Sequence, residues 1–310
     1  MKKFVLLNVL ILILIISVFF IIELLLSLTP NQWKQANDYL DKNSNNLEVL
    51  ILGNSYSHFG VNPDYIELGS YNAAHPSKHH YYDFLTYNKY ETNFDSLKVV
   101  VMPASYNKMV NDSLGIQFNY SYFGAHNYVI DYGIEEFSSF KHKFRVLNIP
   151  PKSATKSIIK FIANKNPTSV SNLGWGNTYK STKIFYPKKT YKYNADFVLS
   201  NSIFSFRKKE IINFTKNLRN KGVKIIYFTP PFCEGYLSSI NFEVKNKVTD
   251  FFIDLEFKFD NVVFIDFNKN SIFKYEDFWD DTHLNEIGAS KLTKLLNTKI
   301  NLHQNETSKP

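Results

Sequence analysis

Leu47-Glu48-Val49-Leu50-Ile51-Leu52-Gly53-Asn54-Ser55-Tyr56-Ser57 is the stretch on which the fold turns. Residues 47–52 form a short apolar run ending at Gly53, the pattern of a strand buried on both faces that feeds a tight turn. Working outward, the same pattern returns downstream. Strands are predicted at Ser70–Ala73, at Lys98–Met102 closed by Pro103, at Val223–Phe228 stopped by Pro230 and Pro231, and at Val262–Asp266. Helices are expected between them, over about Ser77–Tyr90, Ser202–Lys221, Ser239–Phe259 and Asn285–Leu296. In the second of these, Phe204, Ile211, Phe214 and Leu218 fall at helical spacing, with Ser202 as N-cap and Gly222 as the stop. Strands alternating with helices predict an α/β fold, a parallel five-stranded sheet with helices on both faces joined by right-handed crossovers. Active sites of such sheets lie at the carboxyl ends of the strands.

The rhythm breaks between Asn107 and Asn201, a stretch rich in Tyr, Phe, Asn, Ser and Gly with no clear period. It reads as an insertion, a lid or a glycan-facing subdomain. Within it, Asn111-Asp112-Ser113 and Asn119-Tyr120-Ser121 match glycosylation acceptors, a match that an Asn-rich chain produces by chance. Ahead of the first strand, Asn31–Asn46 reads as a polar spacer or short helix. The expected organisation is an anchor at 1–30, the spacer at 31–46, an α/β domain at 47–300 and a frayed tail at 301–310.

The anchor is residues Phe4–Leu28, apolar apart from Asn8, Ser17 and Glu23. At about 1.5 Å per residue this run covers about 37 Å, enough to cross a hydrocarbon core of about 30 Å. The Leu-Ser-Leu-Thr-Pro at its end lacks the small-residue cleavage pattern of a signal peptide, so an uncleaved transmembrane helix is expected. Lys2 and Lys3 precede it, and the positive-inside tendency then puts the amino terminus in the cytoplasm and the remainder outside.

Composition narrows the functional classes. Of 310 residues, 44% are hydrophobic, which excludes global disorder. The net charge of +8 is carried almost wholly by lysine, with arginine only at Arg145, Arg207 and Arg219, a poor match to the arginine forks that read bases, so no nucleic-acid partner is expected. Cys233 is the single cysteine, so there is neither an internal disulfide nor a Cys/His zinc cluster. His79-His80 is the remaining metal-like signal, but adjacent histidines on a helix point apart, and no metal is expected.

Two elements carry chemistry. Ser55 follows strand one on a sharp turn, where a hydroxyl is exposed at the sheet's carboxyl edge; the bland alternative is a turn serine capping the next helix. Phe278-Trp279-Asp280-Asp281-Thr282-His283-Leu284-Asn285 precedes the terminal helix. A carboxylate three residues before an imidazole can orient the ring while its other nitrogen faces a serine. Spacing alone leaves Asp281 as an alternative to Asp280.

Together, Gly53-Asn54-Ser55 and Asp280-Asp281-Thr282-His283, at opposite ends of an α/β pattern, resemble the first and last blocks of the SGNH, or GDSL-type, hydrolase family. The resemblance implies a flavodoxin-like three-layer sandwich and a reaction without a cofactor. It implies Ser55 as nucleophile, His283 as general base and acid, and Asp280 as orienting carboxylate. The family's middle blocks differ here. The turn after strand two, Asn72-Ala73-Ala74-His75-Pro76-Ser77-Lys78, has no glycine, and Ala104-Ser105-Tyr106-Asn107 stands where G-x-N-D would be. Asn54, Ser77, Tyr106 and Asn107 are therefore the candidates for oxyanion or substrate contacts.

The long turn through Pro63, the anchor and Phe228-Thr229-Pro230-Pro231 look most like membrane-anchored members, the D-alanyl transfer proteins of teichoic-acid modification and the alginate-type O-acetylation proteins. That implies an extracytoplasmic esterase or O-acyltransferase acting on cell-surface polysaccharide, with a membrane-bound O-acyltransferase supplying the acyl group. The alternative is a catalytically weak scaffold or glycan-binding protein of the same fold.

Overall fold

The computed structural model describes residues 1–110, 140–165, 169–183, 185–186, 199–269 and 272–307. The two glycosylation-like triplets lie outside the described residues. The chain divides into two compact units, Met1–Asp38 with Gly115–Ser169, and Tyr39–Leu114 with Val170–Pro310. The stretch 107–201 thus contributes to both.

The larger unit is an α/β domain built on a five-stranded, all-parallel sheet. Its elements are β1 (Val49–Ile51), α3 (Ser55–Gly60), β2 (Ser70–Asn72), α4 (His80–Tyr90), β3 (Val99–Pro103), α5 (Tyr106–Val110), α7 (Asn201–Asn220), β4 (Lys224–Thr229), α8 (Glu234–Ser239), α9 (Phe242–Lys258), β5 (Val262–Asp266) and α10 (Glu286–Thr307). The strand order is β2-β1-β3-β4-β5, so the winding direction reverses between β1 and β3, where a crevice opens at the carboxyl ends.

The period-two alternation of β4 divides the core. Ile226 and Phe228 join Val49, Ile51, Val99 and Val101 in a cluster closed by Leu292, Leu296 and Ile300 of α10. Those three recur every four residues, forming one fully buried stripe, each side chain contributing about 2 kcal/mol by its burial. Tyr227 points the other way, its ring 4.8 Å from Phe252 of α9 and its hydroxyl 3.2 Å from Thr215 of α7. On that same side Phe214 of α7 stacks on Phe84 of α4 at 4.3 Å. Helices therefore cover both faces.

Helix boundaries differ from expectation where caps decide them. α4 begins at His80 because Ser77 is left-handed (φ 65°) and His79 accepts the Tyr81 N–H as N-cap. His79 is thus outside the helix, and its ring lies 4.0 Å from that of His80 rather than pointing away. α7 is capped by Ser200, not Ser202. The helix expected over 239–259 is α9, which starts three residues later than expected, at Phe242, where Asn241 accepts the Glu243 N–H at 2.8 Å; the short α8 ends ahead of it at Ser239. α10 runs on to Thr307, past the expected end at Leu296.

The smaller unit contains α1 (Lys2–Leu28) and α6 (Pro151–Ile162). α1 is long and apolar enough to cross a membrane. The spacer region holds α2 (Gln32–Asn43).

Candidate active site

The site starts from Gly53, which has φ +120° and lies so close to Pro103 of β3 that a Cβ would fall on the proline ring. Only glycine fits there. The turn it allows puts Asn54 at the N-cap of α3, where its Oδ1 accepts the Tyr56 N–H at 3.1 Å, and Ser55 at the first helical position. Asn54 Nδ2 donates to Ser105 Oγ at 3.0 Å, tying the turn after β1 to the turn after β3 across the crevice.

The second half is the loop before α10. Phe278 and Leu284 form an antiparallel bridge that closes the loop, and the Trp279 N–H donates to the His283 carbonyl at 2.8 Å. Inside it, Asp280 Oδ1 accepts the backbone N–H groups of Thr282 and His283, each at 2.9 Å, so the carboxylate is held by its own loop. Both Asp280 oxygens are 3.0 Å from His283 Nδ1. A carboxylate only accepts, so Nδ1 carries the proton and Nε2 is left with a lone pair. Nε2 lies 2.9 Å from Ser55 Oγ. Burial opposes ionisation of Asp280, but its bonds to the His283 ring and to Thr282 outweigh it and bring its pKa down to about 2.

The structure thus brings Ser55, His283 and Asp280 into one hydrogen-bonded chain. Among the other expected residues, Asn54 is buried beside Ser55. Ser77 is exposed; Tyr106 is buried with its hydroxyl engaged by Thr249 and Asn268; Asn107 Oδ1 is buried without a hydrogen-bond partner among the described residues. No hydrogen bond joins Ser77, Tyr106 or Asn107 to Ser55 or His283 among the described residues. The N–H groups of Ala74 and His75, in the turn after β2, are taken by Asn72 Oδ1 and the Gly53 carbonyl. The Ser55 N–H has no such partner among the described residues and is free for a ligand.

Comparison with protein-family models, with curated proteins and with solved structures finds no match. The chemistry of the site therefore stands on its own geometry.

Three features escaped the sequence reading. The first is a strap over 170–183. Gly176 N–H donates to the His58 carbonyl, Trp175 Nε1 to the Phe59 carbonyl and Glu286 N–H to the Tyr179 carbonyl, pinning the strap to α3 and α10 at 2.9–3.0 Å. Tyr179 is thereby stacked between Phe59 at 3.8 Å and Trp279 at 4.9 Å, its ring 5.6 Å from that of His283. The Gly174-Trp175-Gly176 triplet was the available signal, since a Cβ on Gly176 would fall on the His58 imidazole.

The second is His58, buried on α3 one turn after Ser55, its Nδ1 donating to the Ala74 carbonyl at 2.9 Å. Burial drives its pKa down to about 4, so at neutral pH it is an uncharged spacer. The third is a groove of about 660 Å³ at the carboxyl ends of β4 and β5, lined by Phe232, Cys233, Leu237, Phe267, Phe273 and Phe278. Phe232 reaches the site through the ring of Tyr56, 5.3 Å away. Burial, with Asp281 and Asp280 nearby, pushes the Cys233 thiol up to about 12, so it stays a neutral thiol.

Proposed function

We propose that the chain is a membrane-anchored serine esterase or O-acyltransferase of the SGNH type, acting on acyl esters of cell-surface polysaccharide. The observation that carries this reading is the hydrogen-bonded chain from Ser55 Oγ through His283 to Asp280, at 2.9 and 3.0 Å. A strand order of β2-β1-β3-β4-β5 supports the flavodoxin-like sandwich of that family. Lys2 and Lys3, which open α1 ahead of its apolar run, support an extracytoplasmic catalytic domain.

In this mechanism His283 Nε2 takes the Ser55 hydroxyl proton as Oγ attacks the ester carbonyl carbon. The carbonyl oxygen gains the negative charge and is met by the unpartnered Ser55 N–H and the second hydrogen of Asn54 Nδ2. Collapse expels the alcohol, which receives the proton from His283, and leaves an acyl ester on Ser55. Water or a sugar hydroxyl then attacks that ester, His283 taking and returning a proton in the same way. Asp280 stays ionised throughout, holding the ring and stabilising the imidazolium. The groove beside Tyr56 is large enough for an acylated sugar.

The test is turnover of p-nitrophenyl acetate by the full chain in detergent. Ser55→Ala and His283→Ala are each expected to lower kcat by about three orders of magnitude or more. A folded wild-type chain without turnover would instead favour the glycan-binding scaffold.

A further inference from the structure

The apolar run of α1 is interrupted by one carboxylate, Glu23. Its Oε2 accepts the Val146 N–H at 2.9 Å, and its Oε1 lies 3.5 Å from Arg145 Nη1. A charged pair of this kind is costly at the centre of a bilayer and stable at its edge. Counting back from Glu23, Phe4–Ile22 at about 1.5 Å per residue spans about 28 Å, close to a hydrocarbon core of about 30 Å. The membrane boundary therefore falls at Glu23, inside α1 rather than at its carboxyl end.

The segment after residue 139 packs on α1 to either side of that boundary. Phe144 lies edge-on to Phe19 at 5.3 Å, just below it, and Phe140 extends that contact with 72% of its surface exposed. Across and above it, Ile149, Ala154 and Ile158 close a small core with Ile22 and Leu26. α6 consequently lies against α1 at the level of the interface.

The residues of α6 then sort by angle, at about 100° per residue. Ala154 and Ile158 face α1. Roughly a quarter-turn on, Ile162, Thr155 and Ile159 share a face about 60° wide, and they are exposed, the two isoleucines at 67% and 60%. The Thr155 hydroxyl is already satisfied by the Pro151 carbonyl at 2.9 Å, so this face presents no unmet polar group. Next come Lys152, Lys156 and Lys160, spaced by four, on a helix with no acidic residue and with no carboxylate paired to them among the described residues. Ser153 and Ser157 lie opposite the isoleucines. A helix with one face on a spanning helix, an exposed apolar face beside it and a lysine stripe at the margin has the sidedness of a helix lying in a lipid surface.

We propose that residues 140–162 form a second membrane contact, in which α6 lies in the bilayer plane with Ile159 and Ile162 in the acyl chains and Lys152, Lys156 and Lys160 on anionic lipid phosphates. The inference rests on α1 spanning the bilayer and is independent of the chemistry at Ser55. It makes the anchor a two-point attachment, fixing the rotation of α1 as well as its depth.

The test places an environment-sensitive fluorophore on single introduced cysteines in the full chain, held in nanodiscs containing phosphatidylglycerol. Cys233 is 2% exposed, so the unsubstituted chain provides the labelling blank. Positions are Ile159→Cys, Ile162→Cys, the half-buried Ser157→Cys as the reference on the face opposite the isoleucines and Leu14→Cys as the mid-span reference. Quenching by shallow doxyl lipids should exceed quenching by iodide several-fold at 159 and 162, with the order reversed at 157. Equal iodide quenching at 159, 162 and 157 would overturn the proposal, and so would shielding of 159 and 162 from both quenchers, which would mean a protein partner. Failure of deep doxyl lipids to quench at 14 would remove the spanning helix itself, a different failure from that of α6.

Discussion

Asp83 Oδ1 accepts the backbone N–H of Gly53 at 2.9 Å while pairing with Lys78 Nζ at 2.9 Å, both side chains 1% exposed. The turn that carries Ser55 is thus hung from a buried ion pair in α4 and the turn before it. Burial lowers the Lys78 pKa, and the Asp83 charge works against that shift. Lys78 also donates to the Ala73 carbonyl and to Thr86 Oγ1, so the ammonium is heavily used.

Removing one partner of a buried pair leaves the other uncompensated, at a cost of about 3–5 kcal/mol. Asp83→Ala should therefore lower the thermal unfolding midpoint sharply. The double variant Lys78→Met with Asp83→Leu should recover most of that stability and little of the turnover, because the Gly53 N–H still lacks its acceptor. Recovery of both would reduce the pair to a packing role.

The adjacent aspartates are separated by one substitution each. Asp280→Asn presents an amide hydrogen to His283 Nδ1 and favours the wrong tautomer, which should lower kcat by about 10³–10⁴. The Asp281 backbone carbonyl accepts the Cys233 N–H at 3.1 Å, a contact that survives Asp281→Asn, and kcat should stay within a few fold. Comparable losses in the two variants would contradict the assignment of the orienting carboxylate.

Buried histidines give the stability a defined pH dependence. The folded pKa of His58 is lowered by burial to about 4, and that of His75 is also well below its usual value. The unfolded chain takes up these protons below about 6.5 and the native chain does not, so stability falls as pH drops from about 6.5 towards 4. His58 alone accounts for about 3 kcal/mol across that window. Asp280 acts in the same direction lower down, its contribution present above about 4 and lost as pH falls towards 2. Melting temperatures from pH 7 to pH 4 should show the decline, and His58→Gln should make it shallower, with the buried His75, His79 and His80 carrying the remainder.

The strap is a wall of the site rather than a free loop. Tyr179→Ala removes the ring between Phe59 and Trp279 and with it one side of the His283 pocket. Turnover should fall by about 10–100-fold, as small displacements of a reacting group do, and limited proteolysis within 170–183 should accelerate. Unchanged kinetics would show that His283 is held by its own loop alone.

Much of this was legible beforehand, for identifiable reasons. Strands buried on both faces write themselves as apolar runs, so Val99–Pro103 and Val262–Asp266 lie within a residue of expectation. Ser55 and His283 were legible because each lies beside local punctuation, Gly53 two residues before one and the expected start of the terminal helix two residues after the other. The strap was not, because its contacts are backbone bonds to distant α3 and α10, which leave no periodicity. Lys78 and Asp83 were hidden for another reason. A buried ion pair looks in sequence like two surface charges, and only the Gly53 N–H explains why they are inside. Ser77 shows the converse, a residue matched by position to an oxyanion block whose left-handed backbone turns it to solvent.

The most direct measurement is fluorophosphonate labelling of the full chain in detergent, with the adduct located by peptide mass spectrometry. A stoichiometric adduct on Ser55, abolished by Ser55→Ala and strongly slowed by His283→Ala, is the expected result. A folded chain that stays unlabelled, or carries the adduct at another residue, would contradict the claim that Ser55 is the nucleophile.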